Sequence, residues 1–288
     1  MPGGGRSWGA WLAAGRTRLD RAGIDEAENK LRWVAAHLRG GGLLDVLARR
    51  DDVPPPDAQE KFAAALARLE QGEPVQYVIG ETDFMGLVIR CDRRALIPRP
   101  ETEGLVGAAE EFLRARGGRP VVVDAGTGTG CIACALAKRV PGIRVVATDL
   151  SAEALELARE NARALGVDVE FRRADLLAGL PEASADLVVS NPPYVSSAEW
   201  TRLDPSVRDF EPRLALDGGS DGLRTISRLV SEAARVLTSG GRLLMEIGDD
   251  QADAVTEILC QTSLLRFRGL RSDCAGRARV AWADRATA

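Results

Sequence analysis

The sequence has little histidine and tyrosine, and it has no long apolar run. Its only histidine, His37, lies in a helical pattern, where we expect a packing or surface role. Because no second histidine is present, catalytic triads that contain a histidine are disfavoured. No stretch reaches the roughly 18 uncharged residues that a membrane span needs, so we expect a cytoplasmic protein without a membrane partner.

Cysteine and excess positive charge are also scarce. Five cysteines, an odd number, are scattered along the chain, which favours a reducing compartment over a disulfide framework. Cys131 and Cys134 form a C-x-x-C pair within a predicted helix, but no second pair accompanies them, so we expect no metal site. The net charge of -4 gives no overall attraction to nucleic acid, and we expect no direct nucleic-acid partner.

The first quarter of the chain has an amphipathic helical pattern. In EAENKLRWVAAHLR, apolar residues recur at helical spacing, and glycines 40–42 end this helix. A later helix begins with Asp57 as N-cap and ends at Gly72. We therefore predict a helical N-terminal domain over residues 1–74. β-Branched and aromatic residues around Gly80 and Gly86 then predict a β-hairpin linker over residues 75–98.

From residue 99 to 288, strand and helix patterns alternate. There are five strand candidates, most of them near-continuous apolar runs of the kind found in buried parallel strands: PVVVDAG, IRVVATDL, VDVEFRRAD, ADLVVSNPP and GRLLMEIG. LLRFRGLRSD and RARVAWA predict a terminal strand pair. SAEALELARENARALG predicts a helix with Ser151 as N-cap and Gly166 at its end. This alternation predicts an α/β domain with helices on both faces of a parallel sheet.

A glycine-rich turn follows the first of these strands. Gly126, Gly128 and Gly130 let a ligand approach the backbone at the carboxyl end of the strand. The next strand ends in Asp149, which can accept hydrogen bonds from ribose hydroxyls. Together these features predict a site for an adenosine-type cofactor, although such glycines and acids also occur merely as turns and helix caps.

The identity of the cofactor depends on two further acids. Gly128, Gly130 and Ala133 satisfy a loose dinucleotide fingerprint, so a nicotinamide oxidoreductase stays an alternative. Asp124, just before the turn, would repel a pyrophosphate, but it suits the ammonium group of S-adenosylmethionine. Asp175 ends the third strand and could reach the adenine amino group. We therefore favour S-adenosylmethionine.

The segment SNPPYV follows the fourth strand, beside the first strand. Asn191 can accept one N–H of a planar amide or base amine through its side-chain oxygen, and the Pro192 carbonyl can accept the other. Pro192 and Pro193 add no competing N–H, and the Tyr194 ring offers a flat face. This arrangement predicts methyl transfer to a planar nitrogen. Glu246, at the end of LLMEIG, could orient this loop or bond to a helix or loop.

These motifs resemble the HemK/PrmC family, the release-factor glutamine N5-methyltransferases. The likeness covers nearly the whole chain and includes QYVIGETDFMGL, LIPRPETE, DAGTGTG, SNPPYV, LDPSVRDFEPRLALDGGSDGL and DCAGRARV. The Asn-Pro-Pro-Tyr element is shared with DNA adenine methyltransferases and ribosomal-protein glutamine methyltransferases. The segment VRDFEPRLALDGG and the hairpin sequence are narrower indicators of the family.

The resemblance implies a class I S-adenosylmethionine-dependent methyltransferase with a Rossmann-like seven-stranded sheet, a small N-terminal helical bundle and a β-hairpin linker. It implies as substrate the Gly-Gly-Gln glutamine of peptide chain release factors, methylated in support of translation termination, with S-adenosylhomocysteine as product. The N-terminal domain would recognise the release factor, and we expect a monomer. Ribosomal-protein glutamine methylation, nucleic-acid adenine N6 methylation and a non-enzymatic cofactor binder stay open as alternatives.

Carried onto this sequence, the resemblance assigns both parts of the site. The glutamine is held by residues Asn191, Pro192, Pro193 and Tyr194. The cofactor site comprises Gly126, Thr127, Gly128, Thr129, Gly130, Asp149, Asp175, Leu176 and Asn191, to which the charge argument adds Asp124.

Overall fold

The computed structural model describes residues 6–287, which divide into two compact units. One unit comprises residues 6–81 and 204–210, and the other comprises residues 82–203 and 211–287. Within the described residues, no helix combines the length and the apolar character needed to cross a membrane.

The α-helices alternate with the strands through most of the chain. In chain order they are α1 (Trp8–Arg21), α2 (Ala27–Arg39), α3 (Leu43–Ala48), α4 (Pro56–Glu70), α5 (Val75–Ile79), α6 (Pro100–Arg116), α7 (Cys131–Arg139), α8 (Ala152–Leu165), α9 (Ser197–Trp200), α10 (Pro205–Arg208), α11 (Arg224–Val236) and α12 (Ala252–Gln261). A 3-10 turn occupies Arg213–Ala215.

The strands fall into one large sheet and two small ones. In chain order they are β1 (Glu81–Phe84), β2 (Leu87–Arg90), β3 (Val121–Ala125), β4 (Arg144–Asp149), β5 (Glu170–Arg173), β6 (Ala185–Ser190), β7 (Val195–Ser196), β8 (Asp217–Gly219), β9 (Leu237–Glu246), β10 (Leu265–Ser272) and β11 (Ala278–Arg285).

The first unit is a helical bundle around an aromatic and aliphatic core. Trp8 and Phe62 lie edge to face, with ring centroids 6.4 Å apart, and Leu31 and Leu69 are fully buried in the same cluster. The prediction that Asp57 caps α4 is wrong. The cap position is Pro55, because Pro56 fixes φ for the first helical residue, and Asp57 instead pairs with Lys61 within the helix.

The predicted strand character of residues 75–79 is also wrong, because these residues form the short helix α5. Pro74 precedes this helix and Gly80 ends it with φ 88° in the left-handed region, while Val75 and Tyr77 are buried. Proline before and glycine after a short run are helix boundaries, and they outweigh the β propensity of valine and tyrosine.

A two-stranded hairpin follows α5. The prediction of a hairpin in this region is confirmed for β1 and β2, which pair across a turn at Met85 and Gly86. Phe84 and Ile89 from this hairpin are buried in one cluster with Leu105 of α6.

The second unit contains a seven-stranded sheet with the order β10-β11-β9-β6-β3-β4-β5. The five strands β9, β6, β3, β4 and β5 are parallel, and β11 is antiparallel to both β9 and β10. The seven-stranded sheet that the family resemblance implies is therefore confirmed, and the predicted terminal strand pair is antiparallel.

Helices cover both faces of this sheet. Val122 of β3 packs in a cluster with residues of α6 and α7, and its neighbour Val123 packs in the opposite cluster with residues of α11 and α12. Such alternation, with apolar residues on both sides, is the burial pattern of a parallel strand. Because β3 lies between β4 and β6, the chain order reverses at β3, and a crevice is expected at the carboxyl ends of these three strands.

Candidate active site

A cavity of about 660 Å³ lies at this edge of the sheet, wholly within the second unit. Its volume falls in the range of roughly 300–1,000 Å³ that is typical of small-molecule sites. Residues 93–99 form one wall, and further lining comes from the glycine loop, the ends of β4, β5 and β6, the starts of α6, α7, α8 and α11, and the segment from Pro212 to Asp217. The strand ends that sequence reasoning selected are thus brought together.

The glycine loop connects β3 to α7. Gly126, Thr127, Gly128 and Thr129 line the cavity, whereas Gly130 does not. Gly130 is instead the cap of α7 with φ 79°, and a Cβ there would lie 2.9 Å from the Cβ of Ala158 on α8. Glycine is therefore required at this position for close helix packing.

Asp149, at the end of β4, lines the cavity and organises the loop. Its Oδ2 accepts the Gly128 N–H at 2.9 Å, and its Oδ1 accepts the Ser151 N–H at 2.9 Å. Burial raises the pKa of this carboxyl despite these hydrogen bonds. Each oxygen keeps a lone pair for a further donor, so this carboxylate fits a ligand that carries adjacent hydroxyl groups.

Asp124 lies behind the loop and does not line the cavity. It is completely buried; its Oδ2 accepts hydrogen bonds from the Thr127 hydroxyl at 2.6 Å and from the Ala133 N–H at 3.2 Å. Its Oδ1 is the only buried side-chain nitrogen or oxygen among residues 6–287 that has no hydrogen-bond partner. Burial raises the pKa of Asp124 to about 7, and a positively charged ligand group nearby would favour its ionised form.

Asp175 and Leu176 line the cavity after β5. Asp175 is half exposed, and its Oδ2 accepts a hydrogen bond from Arg228 at 2.9 Å, so any ligand amine would share this carboxylate with a cation. Leu176 has φ 52°, and its carbonyl accepts the Thr148 hydroxyl at 2.8 Å. This bond fixes the apolar Leu176 side chain at the cavity wall.

Asn191 to Tyr194 follow β6, but they contribute unequally to the cavity. Asn191 and Pro193 line it, Pro192 is buried, and Tyr194 packs against the apolar cluster of α11 and α12. The Tyr194 hydroxyl donates to Glu246 Oε1 at 3.3 Å. The ring of Tyr194 is therefore a packing element of the loop in this structure.

Two polar side chains that the sequence analysis did not assign to the site hold Asn191. Its Nδ2 donates to Thr102 Oγ1 at 3.2 Å, and the Thr102 hydroxyl donates to Glu246 Oε2 at 2.7 Å. Thr102 and Glu246 are 2% and 1% exposed. The role of Glu246 was open from the sequence; the structure shows that it bonds to the loop. Its burial at the end of an apolar strand was the signal that could have identified it.

A second set of contacts holds the Tyr194 backbone. Gln251 Nε2 donates to the Tyr194 carbonyl at 3.0 Å, and the Val195 N–H donates to the Leu216 carbonyl at 2.9 Å. The segment VRDFEPRLALDGG also contacts the wall formed by residues 93–99: buried Glu211 accepts the Ile97 N–H at 3.1 Å and pairs with Arg99. Four of the segments that carried the family resemblance therefore contribute to the cavity: LIPRPETE, DAGTGTG, SNPPYV and VRDFEPRLALDGG.

Comparisons with known proteins define first a class and then a family. Residues 109–203 match the family described as "Methyltransferase small domain". A crystal structure of a methyltransferase from Pyrococcus furiosus aligns with a TM-score of 0.54 at 19% identity, covering 81% of this chain and 99% of that chain. The fold is thus that of the class I methyltransferases, as predicted.

The family follows from closer relatives. Residues 10–80 match the family described as "PrmC N-terminal domain". The release factor glutamine methyltransferase of Cereibacter sphaeroides is 43% identical over 93% of this chain and 95% of its own length. That of Deinococcus radiodurans is 41% identical over 96% of this chain and 97% of its own length. The chain belongs to the release factor glutamine methyltransferase family, which confirms the resemblance.

Proposed function

We propose that this protein transfers a methyl group from S-adenosylmethionine to the side-chain nitrogen N5 of the glutamine in the Gly-Gly-Gln motif of peptide chain release factors. The observation that carries the proposal is the position of Asn191. Asn191 lines a cavity shared with the glycine loop and Asp149, so one site offers both a cofactor cradle and an amide acceptor. The names of the relatives point to the same substrate.

The cofactor would lie along the glycine loop. Asp149 would accept the ribose hydroxyls, Leu176 would pack against the adenine, and Asp175 would share its charge between Arg228 and the adenine amine. Asp124, held behind the loop, would favour a cationic amino-acid part. When bound, S-adenosylmethionine supplies an electrophilic methyl group.

The residues after β6 would prepare the substrate amide, whose nitrogen lone pair is delocalised and weakly nucleophilic. Asn191 Oδ1 and the Pro192 carbonyl would each accept one N–H, which favours a more pyramidal nitrogen with its lone pair directed at the methyl group. No strong base is required, because the nitrogen becomes strongly acidic once it carries the methyl group. Its proton then leaves to solvent.

Intact-mass analysis of a release factor incubated with this protein and S-adenosylmethionine tests the proposal. We expect one added methyl group, which peptide mapping places on the Gly-Gly-Gln glutamine. Asn191→Ala should lower turnover by about 10²-fold, because the Asn191 amide contacts the substrate. The affinity for S-adenosylhomocysteine should change little, because most of the cofactor site is formed by other residues. Methylation of a ribosomal protein or of adenine, with none on the release factor, would refute the proposed substrate.

We also propose that the first unit recognises the body of the release factor. An exposed apolar group in and after α3 supports this role: Leu43, Leu44, Leu47 and Val53 are 42 to 80% exposed. Leu44→Asp should raise KM for an intact release factor but not for a short Gly-Gly-Gln peptide. Leu264→Asp, at an exposed leucine of the second unit, is the matched control. Equal effects of Leu44→Asp on both substrates would contradict this role.

A further inference from the structure

Three hydrogen bonds link the candidate site to a buried carboxylate. Glu246 ends β9, and each of its oxygens has a hydroxyl partner: Thr102 at 2.7 Å and Tyr194 at 3.3 Å. Thr102 lies in the first turn of α6, and its Oγ1 also accepts a hydrogen bond from Asn191 Nδ2 at 3.2 Å. The series Glu246–Thr102–Asn191 runs from the core to the cavity lining.

The direction of these hydrogen bonds follows from counting protons. An ionised carboxylate only accepts, so both hydroxyls must donate to Glu246. Burial raises the pKa of Tyr194, and the charge of Glu246 raises it further, so the phenol keeps its proton and donates. Thr102 has one hydroxyl proton, which is committed to Glu246. Its oxygen can then act only as an acceptor toward Asn191.

This restriction determines which end of the Asn191 amide meets Thr102. The NH2 group can donate to the Thr102 oxygen, whereas the flipped amide would place two acceptors against each other. Oδ1 is therefore the amide atom left for the cavity. The two ends of an amide differ little in shape, so the hydrogen-bond network, not packing, distinguishes the two orientations.

The environment of Glu246 is consistent with an ionised acceptor held in a buried position. Burial raises its pKa, the hydrogen bonds from Thr102 and Tyr194 lower it in part, and the nearby charge of Glu101, which raises it, is opposed by that of Arg279. Glu246 is also fixed by its strand, because it is paired with Val280 of β11. A carboxylate held by a central strand gives Thr102 a stationary acceptor.

We propose that Thr102 and Glu246 are positioning residues that lock the Asn191 amide with Oδ1 toward the substrate nitrogen. This inference rests on the proposed function, since it assigns the side of the amide that accepts the glutamine N–H. With the lock removed, the amide can rotate, and its NH2 group would then oppose the substrate NH2 group. Turnover falls, although the cofactor loop is unchanged.

The test compares four single variants and one double variant with the wild-type full chain. Thr102→Val removes the hydroxyl at nearly constant volume, Thr102→Ser keeps it, and Glu246→Gln lets the acceptor become a donor. Thr256→Val is the matched control, because the Thr256 hydroxyl bonds only to a helix carbonyl at 2.8 Å in α12. For each variant, kcat and KM are measured on a Gly-Gly-Gln peptide, and the S-adenosylhomocysteine Kd is measured by calorimetry.

We expect Thr102→Val and Glu246→Gln to lower kcat by about tenfold or more, the loss associated with one misplaced hydrogen bond to a reacting group. Cofactor Kd should stay within about twofold, and Thr102→Ser should restore most of kcat. The double variant Thr102→Val/Glu246→Gln should be no slower than either single variant, because both act through the same amide.

Two outcomes would overturn the inference while the proposed function stands. One is a Thr102→Val enzyme with wild-type kcat. The other is an equal loss in Thr102→Ser and Thr102→Val, which would indicate methyl packing instead of the hydroxyl. If Thr102→Val does not fold, as judged by lost cofactor binding, then Glu246→Gln takes its place, and wild-type kcat in that variant would overturn the inference. A wild-type protein that leaves the glutamine unmethylated would refute the proposed function and this inference with it.

Discussion

Gly222→Ala should disturb the loop after β6 without placing an atom in the cavity. Gly222 has φ 75° and lies against the Tyr194 backbone. A Cβ at this position would overlap the Tyr194 carbonyl oxygen and would lie 2.6 Å from Gln251 Nε2. These two atoms are themselves hydrogen-bonded at 3.0 Å, so neither can move independently. The substitution therefore pushes on the loop that carries Asn191.

The loss of unfolding free energy in Gly222→Ala has two sources, the left-handed backbone conformation and the steric overlap with the Tyr194 loop. A non-glycine residue in the left-handed region costs about 1–2 kcal/mol. Relieving the overlap requires a displacement of about 1 Å to reach ordinary van der Waals distance, and such overpacking costs about 1–3 kcal/mol. The unfolding free energy should fall by about 2–5 kcal/mol in total. A shift of this size next to the reacting groups should lower kcat by about 10²-fold.

Urea unfolding, steady-state kinetics and S-adenosylhomocysteine binding measure these effects separately. Gly166→Ala is the matched control, because Gly166 has φ 65° at the end of α8 and a Cβ added there would meet no atom within 4 Å. The control should lose about 1 kcal/mol and keep wild-type kcat. If Gly222→Ala matches Gly166→Ala in both stability and kcat, the argument from close approach is refuted.

Three further predictions concern buried or cavity-lining groups. Asp149→Ala should weaken S-adenosylhomocysteine binding by about 10- to 100-fold, since a charged hydrogen-bond acceptor is lost, and calorimetry checks this. The folded-state pKa of Asp124 is raised from 3.8 to about 7, so its contribution to stability is complete at low pH and is lost as pH rises. The unfolding free energy should therefore be about 3 kcal/mol lower at pH 8 than at pH 5. Asp124→Asn should abolish this difference. Iodoacetamide should label exposed Cys260 and Cys274 in the native protein, while mass spectrometry should find the three buried cysteines labelled only after unfolding.

Sequence reasoning worked where a pattern repeats locally. The strand patterns predicted all seven strands of the large sheet. The apolar runs are clearest in β3 and β6, which are buried on both faces, whereas the edge strands β5 and β10 contain exposed arginines. The glycine loop and Asp149 were placed together because carboxyl ends of adjacent parallel strands share one edge. It was wrong at Val75–Ile79, where residue propensities favoured a strand but Pro74 and Gly80 bounded a helix.

The side chains that hold the candidate site could not be found in this way, because their partners are distant in sequence. Asn191 meets Thr102 across 89 residues, and Thr102 meets Glu246 across 144 residues. No periodicity encodes such contacts, since they depend on how β6, β9 and α6 are ordered in space. The sequence nonetheless indicates one of these contacts. A carboxylate in the apolar strand LLMEIG must have hydrogen-bond donors nearby, because a buried unpaired charge would be costly. Thr102 and Tyr194 are those donors, and the same requirement that satisfies Glu246 restricts the Asn191 amide to one orientation.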